Sequence, residues 1–134
     1  MRQSSAPTLI PLISSRQEDK ALLHLKSNPA SAYERHTDGS SVAQMAIVFK
    51  QRSIFAELLR FPEQFSAPDN WGNTVVWTAF FEACKGDCWY LANLLPVFSE
   101  IHSKNKVGKS VWSASHEISD ATINELLRPF APGG

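Results

Sequence analysis

One arrangement of polar and apolar positions returns three times along this chain. A polar residue is followed by two variable residues, Gly, one variable residue, Ser or Thr, and then apolar residues. The three copies are His36-Thr37-Asp38-Gly39-Ser40-Ser41-Val42-Ala43, Asp69-Asn70-Trp71-Gly72-Asn73-Thr74-Val75-Val76 and Asn105-Lys106-Val107-Gly108-Lys109-Ser110-Val111-Trp112. Their glycines lie 33 and then 36 residues apart. Leucine pairs follow at Leu58-Leu59, Leu94-Leu95 and Leu126-Leu127, with the first Leu 19, 22 and 18 residues after the glycine. The pattern predicts helices over about 7–15, 18–27, 41–50, 53–60, 74–84, 88–97, 110–116 and 120–128, paired in order. No segment reads as a strand; 107–112 comes nearest, but Gly108 and Lys109 interrupt it.

Each motif residue has a physical task. The glycine tolerates positive φ where the chain turns back. Ser41, Thr74 and Ser110 are placed to cap the following helix through a side-chain oxygen. Asp69 and Asn105 can hydrogen-bond the turn backbone, and His36 takes that place in the first copy. Ala46 and Ala79 are small enough for neighbouring helices to approach closely. The middle unit is about three residues longer than the first, and the sequence places that excess around 83–88, between its two helices. Before Gly39 the chain reads as a divergent first unit. Leu22, Leu23 and Leu25 form its buried stripe, and Asn28-Pro29 ends its second helix. Arg128-Pro129 stops the last helix, and the residues beyond it are expected to fray.

A period near 33 residues, with a turn and two helices in each unit, resembles the ankyrin repeat. After Gly72 the segment Thr74-Val75-Val76-Trp77-Thr78-Ala79 is similar to that family's Thr-Pro-Leu-His-x-Ala helix start, with Val75 for the proline and Trp77 for the histidine. Residues 41–46 and 110–115 match more loosely in the same register, and the proline is missing from all three. The resemblance implies an all-α fold: one domain over 1–134, a helical-hairpin solenoid of about four ankyrin-like repeats (about 4–35, 36–68, 69–104 and 105–130). It also implies a non-catalytic protein-binding module. The degenerate repeats resemble those of small bacterial immunity-type proteins, which neutralise a cognate toxin by binding and occluding it; the alternative is an adaptor or regulatory subunit that scaffolds a complex.

Composition narrows the partner. Formal net charge is zero, with 13 Lys+Arg against 13 Asp+Glu, so no basic field is available to hold nucleic acid. Hydrophobic content of 43% suits a packed domain rather than a disordered chain. No apolar run approaches the roughly 18–20 residues that cross a bilayer. The short run 8–13 is broken by Pro11 and reads as part of the fold rather than as a signal peptide. Two cysteines make no disulfide framework, and the expected location is cytoplasmic.

Candidate chemistry is thin. Cys84-Lys85-Gly86-Asp87-Cys88 invites a thiol or zinc reading with His102 or His116, but three residues separate the cysteines and no second pair exists. The simpler reading puts one cysteine at each helix end around a Lys-Gly-Asp turn. His24, His36, His102 and His116 fall into no metal-ligand spacing. Gly108-Lys109-Ser110 resembles the end of a phosphate loop without its upstream glycine. No catalytic set, metal or cofactor is expected.

Lys104, Lys106 and Lys109 read as a solvated loop. Aromatic residues are the stronger signal. Trp71 sits in a turn that the resemblance projects outward, where it either anchors a partner or folds back on Phe61, Phe65 or a neighbouring loop. Most of Trp77, Phe80, Phe81, Trp89 and Tyr90 are expected in the core. On the ankyrin-like register Met45, Phe49, Thr78, Phe81, Glu82, Ala114 and Glu117 lean toward a concave side. The partner-binding set expected is therefore Trp71, Asn70, Met45, Phe49, Thr78, Phe81, Glu82, Lys106, Val107 and Glu117.

Overall fold

The computed structural model describes residues 8–130, and these fold as an all-α protein. The helices are α1 (Leu9–Ser14), α2 (Glu18–Ser27), α3 (Val42–Val48), α4 (Arg52–Leu58), α5 (Val75–Cys84), α6 (Trp89–Leu94), α7 (Val111–Ser115) and α8 (Ala121–Leu127). Each lies inside, or within a residue of, the segment the sequence predicts. Among the described residues the only β-type pairing is an isolated bridge between Arg35 and Ser41. The expected helix start at Pro7 and the expected fraying from Ala131 onward lie outside the described residues.

Helices pack as neighbours in sequence: α1 on α2, α3 on α4, α5 on α6 and α7 on α8. Successive pairs then meet through α1 with α3, α3 with α5 and α5 with α7, while α2 packs on α4. Leu9, Ile13, Leu25, Ile47, Ile54, Leu58, Leu91 and Leu94 are fully buried between them, each stabilising the fold by about 1.5–3 kcal/mol relative to exposure. Phe55 is the hub of the aromatic layer, with ring centroids 5.3 Å from Tyr90, 6.1 Å from Trp89 and 6.5 Å from Phe65. Leu23 departs from the expected stripe. It is 68% exposed, and α2 buries Ala21 and Leu25 instead. Residues 21 and 25 share a helix face at i, i+4, which position 23 cannot join.

Two short 3-10 turns, Pro29–Tyr33 and Pro62–Ser66, follow α2 and α4 and were not legible as elements in the sequence. Each opens on a proline, whose fixed φ suits a first turn. A third, Arg128–Phe130, follows α8.

The helix starts behave as expected at two motif serines and differently at the threonine. Ser41 forms a reciprocal capping box with Gln44, and Ser110 one with Ser113. Thr74 makes no side-chain cap; the Trp77 N–H donates to the Thr74 carbonyl at 3.0 Å instead.

The ends of α1, α3 and α5 share one device. The residue past the C-cap is left-handed at Arg16 (φ 63°), Lys50 (φ 60°) and Gly86 (φ 104°). Paired backbone bonds close each end: Arg16 to Ile13 with Gln17 to Leu12, Lys50 to Ile47 with Gln51 to Ala46, and Gly86 to Ala83 with Asp87 to Glu82. This is the Schellman closure. Its recurrence relocates the three extra residues of the middle unit. The turn from α5 into α6 closes as the turn from α3 into α4 does, whereas α5 has 10 residues and α3 has 7. The excess is therefore nearly one added turn of α5, not an insertion between the helices.

Candidate functional site

The three sequence motifs fold into three copies of one turn. The N–H of its first residue donates to the carbonyl four residues on, as His36 to Ser40, Asp69 to Asn73 and Asn105 to Lys109, at 2.8–2.9 Å. Each glycine N–H donates back to the first residue's carbonyl, and Gly39, Gly72 and Gly108 all have φ between 81° and 86°. The side chain of that first residue holds the turn in two copies. Asp69 Oδ1 accepts from the N–H of Trp71 (2.9 Å) and Asn73 (3.0 Å). Asn105 Oδ1 accepts from Val107 and Lys109, both at 3.1 Å. In the first copy the work is divided: His36 Nδ1 accepts from Asp38 N–H at 3.4 Å, and Asp38 Oδ1 accepts from Ser40 N–H at 2.9 Å. The Ser40 bonds, followed by the His36 imidazole 3.1 Å away, hold the Asp38 carboxyl below its usual range.

Adjacent turns are joined edge to edge. Asn70 N–H donates to the Asp38 carbonyl at 3.3 Å, and Lys106 N–H to the Trp71 carbonyl at 3.1 Å. The Arg35 guanidinium bridges the carbonyls of Gly39 and Pro68. The Gln44 amide donates to the Asn73 carbonyl at 3.1 Å, and Asn105 to Asn73 Oδ1 at 3.0 Å. A Cβ at Gly39 would lie 2.5 Å from Asn70 Oδ1, and one at Gly72 would lie 2.8 Å from the Lys106 nitrogen. Glycine is thus required there twice over, by φ and by the approach of the next turn.

A groove of about 470 Å³ runs along α1, α3 and α5 on the side where these turns begin. Five of the expected partner-binding residues line it together: Met45, Phe49, Thr78, Phe81 and Glu82. Ser14, Gln44, Val48, Trp77 and Lys85 complete the helical walls, and His36, Asp38, Ser40, Asp69 and Asn73 form the turn end. Phe81 is 49% exposed and Val48 60%. Glu82, by contrast, is buried at 6% exposure, with Lys50 Nζ 3.3 Å and Lys85 Nζ 3.7 Å from its carboxylate. Trp77 is buried beside Phe81, ring centroids 5.4 Å apart, and its indole N–H finds no acceptor among the described residues.

The remaining expected residues fall elsewhere. Trp71, Asn70, Lys106 and Val107 sit on the turn tips. Trp71 is 58% exposed and Val107 78%, so Trp71 does not fold back into the core on Phe61 or Phe65. Glu117 and Ala114 do not line the groove. Helix α7 stops at Ser115, after only five residues, and Glu117 lies beyond it, paired with Lys109 at 3.1 Å. The fourth unit is too short to extend the wall that α3 and α5 make.

Sequence reasoning missed Val48, Gln44 and Lys85 as lining residues. Val48 was findable, since it stands at i+3 from Met45 on the same face. Gln44 was masked by its capping role, and Lys85 by the misplaced insertion.

The cysteines stand at helix ends, Cys84 closing α5 and Cys88 preceding α6; both are free. Burial, more than the nearby Asp120 charge, raises both thiols above their usual range, which works against thiolate chemistry. Among the described residues no three His, Cys, Asp or Glu side chains converge on a metal-sized site, and no helix is long and apolar enough to cross a membrane. No protein-family model matches the chain, and no curated protein matches it either.

Proposed function

We propose that this chain is a degenerate ankyrin-like solenoid whose role is to bind a protein partner without catalysis. Within that class we read it as a small immunity-type protein that neutralises a cognate toxin by covering it, acting in the cytoplasm. The recurrence of one turn at 33 and then 36 residues and the recurring Schellman closures support the repeat architecture. The observation that carries the binding reading is the exposure of Phe81 and Val48 inside a groove, next to turns tipped by Trp71 and Val107. Large apolar side chains left against water beside a polar rim are the usual mark of an interaction surface.

The test is recovery of the tagged chain at native expression level. The proposal expects one stoichiometric protein whose expression alone arrests growth, and whose effect co-expression of this chain relieves. Several partners at low occupancy, none toxic, would replace the immunity reading with an adaptor. No partner at all would overturn the binding reading.

A further inference from the structure

Charge in the groove is distributed unevenly. The wall carries three carboxylates, Asp38, Asp69 and Glu82, against one lysine, Lys85. Glu82 is matched twice over by Lys50 and Lys85. Asp38 is matched only by His36, which compensates it only when protonated. Asp69 makes no ion pair among the described residues; its Oδ1 serves the turn, and its Oδ2 meets the Gln44 amide at 3.4 Å. The carboxylates without a Lys or Arg ion pair among the described residues therefore gather at the turn end, where the Arg35 guanidinium is engaged by the Gly39 and Pro68 carbonyls. Met45, Val48 and Phe81 make the apolar part of the lining, and the far end at Glu82 and Lys85 is balanced with Lys50. Helix α5, with 10 residues, spans the interval, about 15 Å at the usual helical rise.

Resting on the binding reading above, we infer that the partner fills this groove with a polypeptide segment that puts a Lys or Arg against Asp38 and Asp69 and a bulky apolar side chain over Phe81. Complementary charge fixes the direction in which the segment lies, and the apolar contact supplies most of its affinity. The same carboxylates repel phosphate, so a nucleic-acid backbone does not fit this end.

The chain itself supplies the control substitution. Asn105 performs in the third turn what Asp69 performs in the second, with the same two backbone hydrogen bonds. Asp69→Asn therefore removes the charge and keeps the turn, and Asp38→Asn keeps an acceptor for Ser40 N–H. The experiment selects random 16-residue peptides displayed on phage against the immobilised full chain, then measures the best synthetic peptide by fluorescence anisotropy. Expected are peptides with Lys or Arg close to a bulky apolar residue. Each carboxamide variant should weaken them about fivefold and flatten the salt dependence, and Phe81→Ser should weaken them more than tenfold. Circular dichroism and the thermal midpoint verify folding of each variant. Peptides that lose binding with Phe81→Ser but are neutral or acidic, and indifferent to Asp69→Asn, would overturn the basic-segment inference and leave the groove as a binding site. Failure to select any peptide sensitive to Phe81→Ser would overturn the groove itself.

Discussion

Trp71 and Gly72 are adjacent and do opposite work. Trp71 stands on the tip of its turn, held by backbone bonds from its N–H to Asp69 and from Lys106 to its carbonyl, while its ring faces solvent. Trp71→Ala should leave the thermal midpoint unchanged and weaken partner binding by at least about 1 kcal/mol, read by titration against the captured partner; a lowered midpoint with unchanged affinity would remove Trp71 from the binding surface. Gly72 makes no use of a side chain, and the next turn stands where one would go. Gly72→Ala should destabilise by roughly 1–3 kcal/mol, from left-handed backbone and collision with the Lys106 amide. Gly108→Ala meets nothing within 4 Å and should show only the smaller backbone cost; urea midpoints of the two variants check the difference. At this scale the sequence was informative wherever a residue type has one physical use. Gly, the capping serines and the turn-holding Asp69 and Asn105 announced themselves. Trp71 did not, because a tryptophan serves packing and binding equally well. Leu23 misled, because hydrophobicity without phase does not say which face a residue takes.

Elements were legible where a start or stop signal is chemical, and less so where it is conformational. The left-handed residues that end α1 and α3 are Arg16 and Lys50, and neither advertises a helix end as Gly86 does. That is why the middle unit's extra turn of α5 read as an insertion beside Gly86. Both residues offset their backbone cost by reaching a neighbouring unit: Arg16 lies 5.2 Å over the Phe49 ring, and Lys50 bonds Asp87 at 2.6 Å. Arg16→Gly should consequently be more stable than Arg16→Ala by about 1 kcal/mol in chemical denaturation, the reverse of the usual order for these residues. Asp87 also ties α4 to the turn before α6, through Arg52 at 3.3 Å. Its carboxyl is lowered from 3.8, first by the Lys50 hydrogen bond, and Lys50 is raised from 10.5 by the same bond. A lowered acid stabilises the fold above its unfolded value, and that contribution is lost as pH falls through the folded value. A raised lysine contributes below its unfolded value and loses the contribution as pH rises through the folded one. Urea midpoints should therefore fall more steeply below about pH 4 for the wild type than for Asp87→Asn.

Across the whole molecule, helix pairs meet mainly their immediate neighbours. The spacings of 33 and 36 residues made that order readable from the sequence, since three of the four helix pairs follow the same turn. The extent of the groove was not readable, because it depends on helix length: α3 and α5 build walls and α7, at five residues, does not. In stacks of this kind each unit draws stability from those beside it. The middle pairs are flanked on both sides, whereas among the described residues α7 and α8 have a neighbouring helix pair on one side, met chiefly through α5. Backbone amides of α7 and α8 should exchange with deuterium sooner than those of α3 and α5, measured by mass spectrometry of peptic fragments; uniform exchange would show a single cooperative unit. The edge-to-edge bonds between turns point to the same asymmetry. Asp38 receives Asn70, Trp71 receives Lys106, and Gly108 faces open space. The molecule is thus built like a zipper fastened from one side. Amides beside Gly108 should therefore become exchangeable before those held by the edge-to-edge bonds at Asp38 and Trp71.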